Sequence, residues 1–348
     1  MDSPPLRVVF PASPLSKREP DPAFEGEVAA AKQAGFSVGL VGLEGPADEP
    51  LTVALLGRPA EDPPAETAIY RGWLLRPAAY ARMEAALAAR GVALFTNTAA
   101  YRHAYHLPEW YAALEAARPG MTPPSIWFPV PASGSAFELS AIASEVAQAF
   151  GSGPAIVKDY VKSRKHEWFE ACFIPSASDG ERVLRITENF LALQAEELEG
   201  GLVYRKYVPF RSVGLHSKSH LPLVREYRIF VVTGQVALVS RYWGEGDYEE
   251  SPPDLTPFLP LLTVFQSPFY ALDIAEGEDG RWWVLEINDG GAAGIPDGIA
   301  SNASVREAGD GAELDANASV REAGDGAELD ANTFYQALAR ATSAPGTG

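Results

Sequence analysis

The chain has 348 residues, a single cysteine and a formal net charge of −18. One cysteine excludes an intrachain disulfide and a CxxC-type zinc site. So acidic a chain also lacks the positive surface that displaces counterions from nucleic-acid phosphates, so bulk nucleic-acid binding is not expected. The composition, 47% hydrophobic and 21% charged, is that of a globular protein with room for two or three lobes. Met1–Pro14 shows no basic stretch followed by a long apolar one, and no run approaches 18 apolar residues. A cytoplasmic protein with no signal peptide and no membrane contact is therefore expected.

The first hundred residues alternate between strand and helix patterns. Leu6–Phe10 reads as a strand followed by a Pro/Ser loop, Phe24–Ala34 as a helix stopped by Gly35, and Phe36–Val41 as a strand. Ala68–Leu74 reads as a third strand, Pro77–Arg90 as an Ala-rich helix with Gly91 beyond its end, and Val92–Thr96 as a fourth strand. This rhythm predicts a small, mostly parallel, helix-covered α/β domain over residues 1–97. No GxGxxG run is present, so no dinucleotide site is assigned there.

Tyr101–Ala117 has helical spacing, and the cluster Pro119–Pro124 breaks it. Phe137–Phe150 reads as a helix, Ala155–Tyr160 as a strand, and Glu167–Ile174 as another strand on which Cys172 packs. Glu188–Leu198 reads as a helix and Leu202–Val208 as a strand. Tyr227–Val232 and Val236–Trp243 form a hairpin about Thr233-Gly234-Gln235, and Phe269–Ala275 and Trp282–Ile287 are joined by the acidic turn Glu276–Gly280. Residues 98–345 therefore read as an α+β domain, an N-lobe over about 98–200 and a C-lobe over about 201–345.

The fifteen residues Asn302–Ala316 recur letter for letter as Asn317–Ala331. Two copies are too few for a solenoid, and their acidic, apolar-poor composition predicts a solvated insertion at 302–331. The chain resumes with an amphipathic helix, Thr333–Ala341. Charge is unevenly spread: Ile156–Arg241 holds 13 Lys/Arg against 10 Asp/Glu inside an otherwise strongly acidic chain. That distribution suits a pocket for a small polyanion.

Four patterns carry chemistry. Glu286 and Asn288 share one face of a strand, and an adjacent antiparallel strand places Asp273 beside them. Two carboxylates with an amide oxygen form a hard oxygen set suited to magnesium. Glu226 and Arg228 share a face of the hairpin, with Arg241 on its return strand; arginines on a sheet face suit a bidentate grip on phosphate or carboxylate. Lys158 ends an apolar strand ahead of Lys162-Ser163-Arg164-Lys165-His166, a point charge for phosphate. Leu202–Val208 ends at Pro209, leaving backbone groups free at its tip. For each, a solvated surface residue or a terminated edge strand is the alternative reading.

The order of these patterns resembles the ATP-grasp superfamily over residues 98–298 and the last helix. The likeness is closest to its glutamate-adding ligases, within a divergent clade marked by two arginines and a lysine. The resemblance implies two lobes with ATP between them and Mg2+ as cofactor. It implies Lys158, with Lys162, on the phosphates, and the hinge Arg205-Lys206-Tyr207-Val208 at the adenine. Arg228 would then meet phosphate, Asp273, Glu286 and Asn288 magnesium, and Arg241 the reacting centre, level with Arg228 on the same sheet face. The phosphate-covering loop, Gly-rich in most relatives, is Ser163–His166 here and would act through side-chain charge. The implied reaction is ligation of a small-molecule or peptide carboxylate to an amine through an acyl phosphate; a phosphotransferase or a non-catalytic nucleotide binder are the alternatives.

Overall fold

The computed structural model describes residues 6–43, 51–56, 66–132, 136–217, 222–248, 253–296 and 327–343. Two compact units emerge. One holds residues 1–104, 212–275 and 286–348, and the other 105–211 and 276–285.

The first unit contains two sheets. In the N-terminal one, β1 (Arg7–Ser13), β3 (Ser37–Gly42), β5 (Glu66–Tyr70) and β6 (Val92–Leu94) run parallel, in keeping with the βαβ rhythm. Two antiparallel strands, β2 (Ser16–Pro20) and β4 (Thr52–Leu56), are not legible in the sequence. β2 is polar and lies in the expected loop. Helices α1 (Glu25–Gln33) and α2 (Pro77–Ala88) cover the sheet, and Pro77 sits in the first turn of α2, where its missing N–H is not needed. The expected helix Tyr101–Ala117 is instead two, α3 (Thr98–Tyr105) and, already in the other unit, α4 (Leu107–Ala117), split at His106. Pro108 is the cause: it has no N–H to donate one turn back, and its ring would clash with the carbonyl there, so it is tolerated only in the first turn of a new helix.

The second sheet has the order β14 (Gln235–Arg241), β13 (Glu226–Val232), β15 (Phe269–Glu276), β16 (Trp282–Asp289). Thr233 and Gly234, both at positive φ, make the tight turn of the β13–β14 hairpin. A further small hairpin pairs β11 (Ser212–Leu215) with β12 (Pro222–Val224). Helix α7 (Ala327–Ser343) ties the two sheets of this unit into one core. Its Phe334, Tyr335 and Leu338 pack with Phe10 and Leu40 of the first sheet and with Phe230 and Phe269 of the second. This helix starts before the expected Thr333, inside the second repeat copy, and Ala331 is buried in the core. The rest of the expected insertion, 302–326, lies outside the described residues.

The other unit is built on the antiparallel sheet β7 (Ser125–Pro129), β10 (Gly201–Lys206), β8 (Ala155–Asp159), β9 (Phe173–Ile174). Helices α5 (Leu139–Phe150) and α6 (Gly180–Gln194) bury Val146, Ile186 and Phe190 against Val157, Leu202 and Tyr204. The expected strand Glu167–Ile174 is corrected here. Residues Lys165–Glu167 form a 3-10 turn, Trp168–Cys172 a π-helical turn, and only two residues are strand. The wider turn drives Ala171 and Cys172 inward while Trp168 stacks on Phe173, ring centroids 5.2 Å apart. Cys172 is buried as expected, but not on a strand, and burial pushes its thiol up to about 12.

Candidate active site

In the first unit, Arg228 of β13 pairs across the sheet with Ser240 of β14 and Asp273 of β15. Directly paired residues share a face, so the Arg228 and Asp273 side chains meet. Nε donates to Asp273 Oδ1 at 2.8 Å and Nη2 to Oδ2 at 2.7 Å. Both residues are buried. Burial, the largest single influence, favours a neutral guanidinium, but the Asp273 charge and its hydrogen bonds, with Tyr242 and Glu226, together raise the Arg228 pKa. Nη1 donates to the Gly294 carbonyl at 2.9 Å, and the Tyr242 ring lies 4.9 Å from the guanidinium carbon. Arg228 is thus fixed on three sides.

Arg228 and Tyr242 reach the wall of a cleft of about 600 Å³, lined also by His216, Trp243, Glu245 and Gly294–Pro296. Glu245 is held at its rim by the Ser217 amide at 3.1 Å and by His216 at 3.4 Å. The Tyr242 hydroxyl is pushed up, first by burial, with Arg228 opposing and Asp273, Glu226 and Glu286 adding to the rise. β16 lies beside β15 in the sheet, so Glu286 and Asn288 are on the strand next to that of Asp273.

Glu286 and Asn288 are oxygen donors, half-buried on one face of β16. Magnesium keeps waters and takes only one or two protein carboxylates beside substrate phosphates, so this pair fits a nucleotide-bound ion. Among the described residues no group of three His, Cys, Asp or Glu is arranged to hold a metal by itself. Asp273 has both its oxygens on Arg228 and orients that guanidinium.

Arg241 pairs with Tyr227, not with Arg228. It therefore lies on the opposite face of the sheet, its guanidinium 5.2 Å from the Tyr248 ring. The expectation of two arginines level on one face is corrected. The hairpin register puts Arg241 one residue out of phase, and Tyr242, not Arg241, joins Arg228.

In the other unit, Lys158 is buried on β8 opposite Val203, and Nζ donates to the Val161 carbonyl at 3.1 Å. The turn after it hangs on buried Asp159. Oδ1 accepts from the Val161 and Lys162 amides, and Oδ2 from Gln194 Nε2 at 2.9 Å and the Glu199 amide at 3.3 Å. Burial raises the Asp159 pKa, against these amides and Lys158. Lys162 is exposed. Arg164, expected to act by charge, is tied to α6 through Gln194 at 2.8 Å and the Leu193 carbonyl.

Arg205 also holds structure. Its guanidinium donates to the carbonyls of Leu285 at 2.6 Å and Val284 at 3.3 Å and to Thr122 Oγ1, beside the Trp110 ring at 5.8 Å. Lys206 is exposed. Its amide and that of Tyr207 donate to the Pro124 and Pro154 carbonyls. The Tyr207 ring stands edge-on to Phe173 at 5.1 Å and Trp168 at 6.0 Å, with Val208 half-buried after it. Trp168, Phe173 and Tyr242 do not stand out in the sequence, since aromatic spacing alone is the signal of ordinary packing.

One unit thus bears Arg–Asp and Glu-x-Asn on an antiparallel sheet, and the other a buried lysine on its own antiparallel sheet. Residues 149–308 match the model of the ATP-grasp domain of the clade named for two arginines and a lysine, family 3, and this segment belongs to that family. The chain thus carries an ATP-grasp domain over that segment, a domain class that uses ATP with Mg2+. The fold is shared with a RimK domain ATP-grasp protein from Sphaerobacter thermophilus at TM-score 0.52 and 16% identity, covering 82% of this chain and 91% of that one. It is shared also with the D-cycloserine synthetase DcsG, at TM-score 0.50 and 16% identity over 96% and 98% of the two chains. The ATP-grasp ligase PsnB, in complex with a phosphomimetic variant of its minimal precursor, Mg and ADP, has TM-score 0.50 and 16% identity over 98% and 100%. No curated protein matches the chain. No described helix is long and apolar enough to cross a membrane.

Proposed function

We propose that the protein is an ATP- and magnesium-dependent carboxylate–amine ligase, working through an acyl phosphate. The observation that carries this reading is Arg228, buried, bidentate to Asp273 and open to the cleft wall beside Tyr242. A guanidinium fixed in this way needs no reorganisation as charge develops on a phosphoryl group or a carboxylate. Glu286 and Asn288 are the proposed magnesium donors; the ion, when bound, neutralises phosphate charge. Lys158 and Lys162 are the proposed phosphate contacts, and Lys206, Tyr207 and Val208 the nucleotide-base segment, with Arg205 holding the end of β10 in place. Asp273 is proposed to orient Arg228. The ligases DcsG and PsnB support the reading by fold alone.

A substrate carboxylate oxygen attacks the γ-phosphorus of ATP and ADP leaves; an amine then displaces phosphate, forming the amide and losing a proton. The test is ADP release with Mg2+ over amino acids, dipeptides and polyamines, with hydroxylamine as trap. A hydroxamate that depends on ATP supports ligation. A phosphorylated product that accumulates without amine overturns it in favour of phosphotransfer.

A further inference from the structure

Outside the matched segment, a second arginine is held behind the wall of the same cleft. Arg71 follows β5 in the N-terminal sheet and is 2% exposed. Nε and Nη2 form a bidentate pair with Glu27 of α1, at 2.9 and 2.8 Å. Tyr335 of α7 donates to the same carboxylate at 2.7 Å, and the Phe334 ring lies 5.0 Å from the guanidinium carbon. Burial is the largest single influence and works against both charges, but the charge pairing and the hydrogen bonds within the pair and to Tyr335 together carry the arginine pKa up and the Glu27 pKa down.

The remaining edge of the guanidinium faces the segment after β16. Nη1 donates to the carbonyls of Gly290 at 3.0 Å and Ala293 at 2.6 Å, and the Gly72 amide donates to the Gly291 carbonyl at 3.0 Å. Asp289 Oδ1 accepts from the Gly291 and Ala292 amides and closes the turn. The segment is pressed so tightly that a Cβ on Gly291 would collide with the Tyr70 carbonyl, and one on Gly290 would sit 2.6 Å from the Phe269 ring. The next carbonyl after Ala293, that of Gly294, is the one that receives Arg228 Nη1. Adjacent peptide groups thus connect the two arginines.

We propose that Arg71 is a positioning residue for Arg228, acting through the 290–294 backbone: it fixes the carbonyl that sets the Arg228 guanidinium at the cleft wall. The role rests on the reading of Arg228 as the group that meets the transferring phosphoryl or carboxylate. A displacement of even part of an ångström there lowers turnover, because the productive geometry is narrow. Outer partners that orient metal-ligating side chains are worth about 10- to 100-fold, and the backbone hold on Arg228 is expected at the lower end of that range. A purely structural staple would lower stability without singling out this segment or kcat.

The experiment compares Arg71→Lys with Leu338→Ala, a truncation in the shared core. Amide exchange is measured by mass spectrometry without nucleotide, and ADP release is measured with Mg2+-ATP and the amino-acid, dipeptide and polyamine acceptors. Arg71→Lys is expected to speed exchange over 290–296 about tenfold and to lower kcat about 10-fold or more, with the KM for ATP within about twofold. Leu338→Ala is expected to lose comparable thermal stability without that local exchange or that fall in kcat. Unchanged exchange over 290–296, or an equal kcat loss in Leu338→Ala, overturns the proposal. If Arg71→Lys does not fold, Glu27→Gln keeps both carbonyl contacts but loosens the guanidinium; a few-fold change in the same two readouts is expected, and wild-type values overturn the proposal. A wild type that releases no ADP with any acceptor sinks the ligase reading, and the exchange result still decides whether Arg71 holds the segment.

Discussion

Arg228 meets Asp273 because directly opposed residues of antiparallel strands share a face, and Arg241 meets Tyr248 because it is opposed to Tyr227. One step of strand register separates the two arginines. Arg228→Lys is expected to lose the bidentate grip and to lower kcat about 100-fold, as for other preorganised charge contacts. The loss in Arg241→Ala is expected to be at least tenfold smaller, about 10-fold or less by the same comparison. Steady-state ADP release from the two variants checks this; a larger loss in Arg241→Ala would return the reacting centre to the other face. Glu286→Gln is expected to weaken the response to magnesium more than nucleotide affinity, since the amide coordinates but carries no charge. A magnesium titration of turnover that superimposes on wild type would place the ion elsewhere. Asp159 shows a different dependence on atom type. Its Oδ1 accepts from two amides and its Oδ2 from Gln194 and the Glu199 amide, so Asp159→Asn turns an acceptor into a donor facing a donor. The buried mismatch is expected to cost about 1–3 kcal/mol, read as a lower urea midpoint at unchanged m-value. A wild-type midpoint would mean that the turn repacks around the amide.

Among the elements, α7 carries the most weight relative to its sequence signal. It begins in the second repeat copy, at Ala327, and Ala331 is in the core. Deleting Asn317–Ala331 removes those residues, yet the first copy ends in the same Ala-Glu-Leu-Asp-Ala and would then precede Asn332. Melting temperature and activity are expected to change little. A large loss of soluble protein on deletion would show that the spacing, beyond the helix start, matters. The π-helical turn Trp168–Cys172 is the opposite case. Its residues have the bulk of a strand, and only packing against α6 and Phe173 gives them the wider turn.

Across the first unit, the N-terminal sheet and the C-terminal sheet share one core through α7. The α/β pattern of residues 1–97 suggests a domain that stands alone. Phe10 and Phe36 instead pack on Tyr335 at ring separations of 6.3 and 6.2 Å, and Arg71 is held by Glu27 with Tyr335 against it. A fragment ending at Asn97 would expose that surface. It is expected to lack a cooperative thermal transition by circular dichroism, whereas a sharp transition would show that the first sheet completes its own core.

Most of the elements are legible from the sequence because they need only local information: period-two and helical apolar patterns, prolines at helix starts and Thr-Gly at a hairpin. The order of Lys158, Arg228, Asp273, Glu286 and Asn288 is legible too, and with it the ATP-grasp class. Pairing is not. Whether Asp273 meets a cation or a guanidinium, and which face Arg241 takes, depend on strand register. That Arg205 and Arg71 end on main-chain carbonyls depends on segments 80 and 219 residues away in the chain meeting them in space. Such contacts leave no periodicity, since a carbonyl belongs to every residue, and only the folded chain decides which ones an arginine reaches.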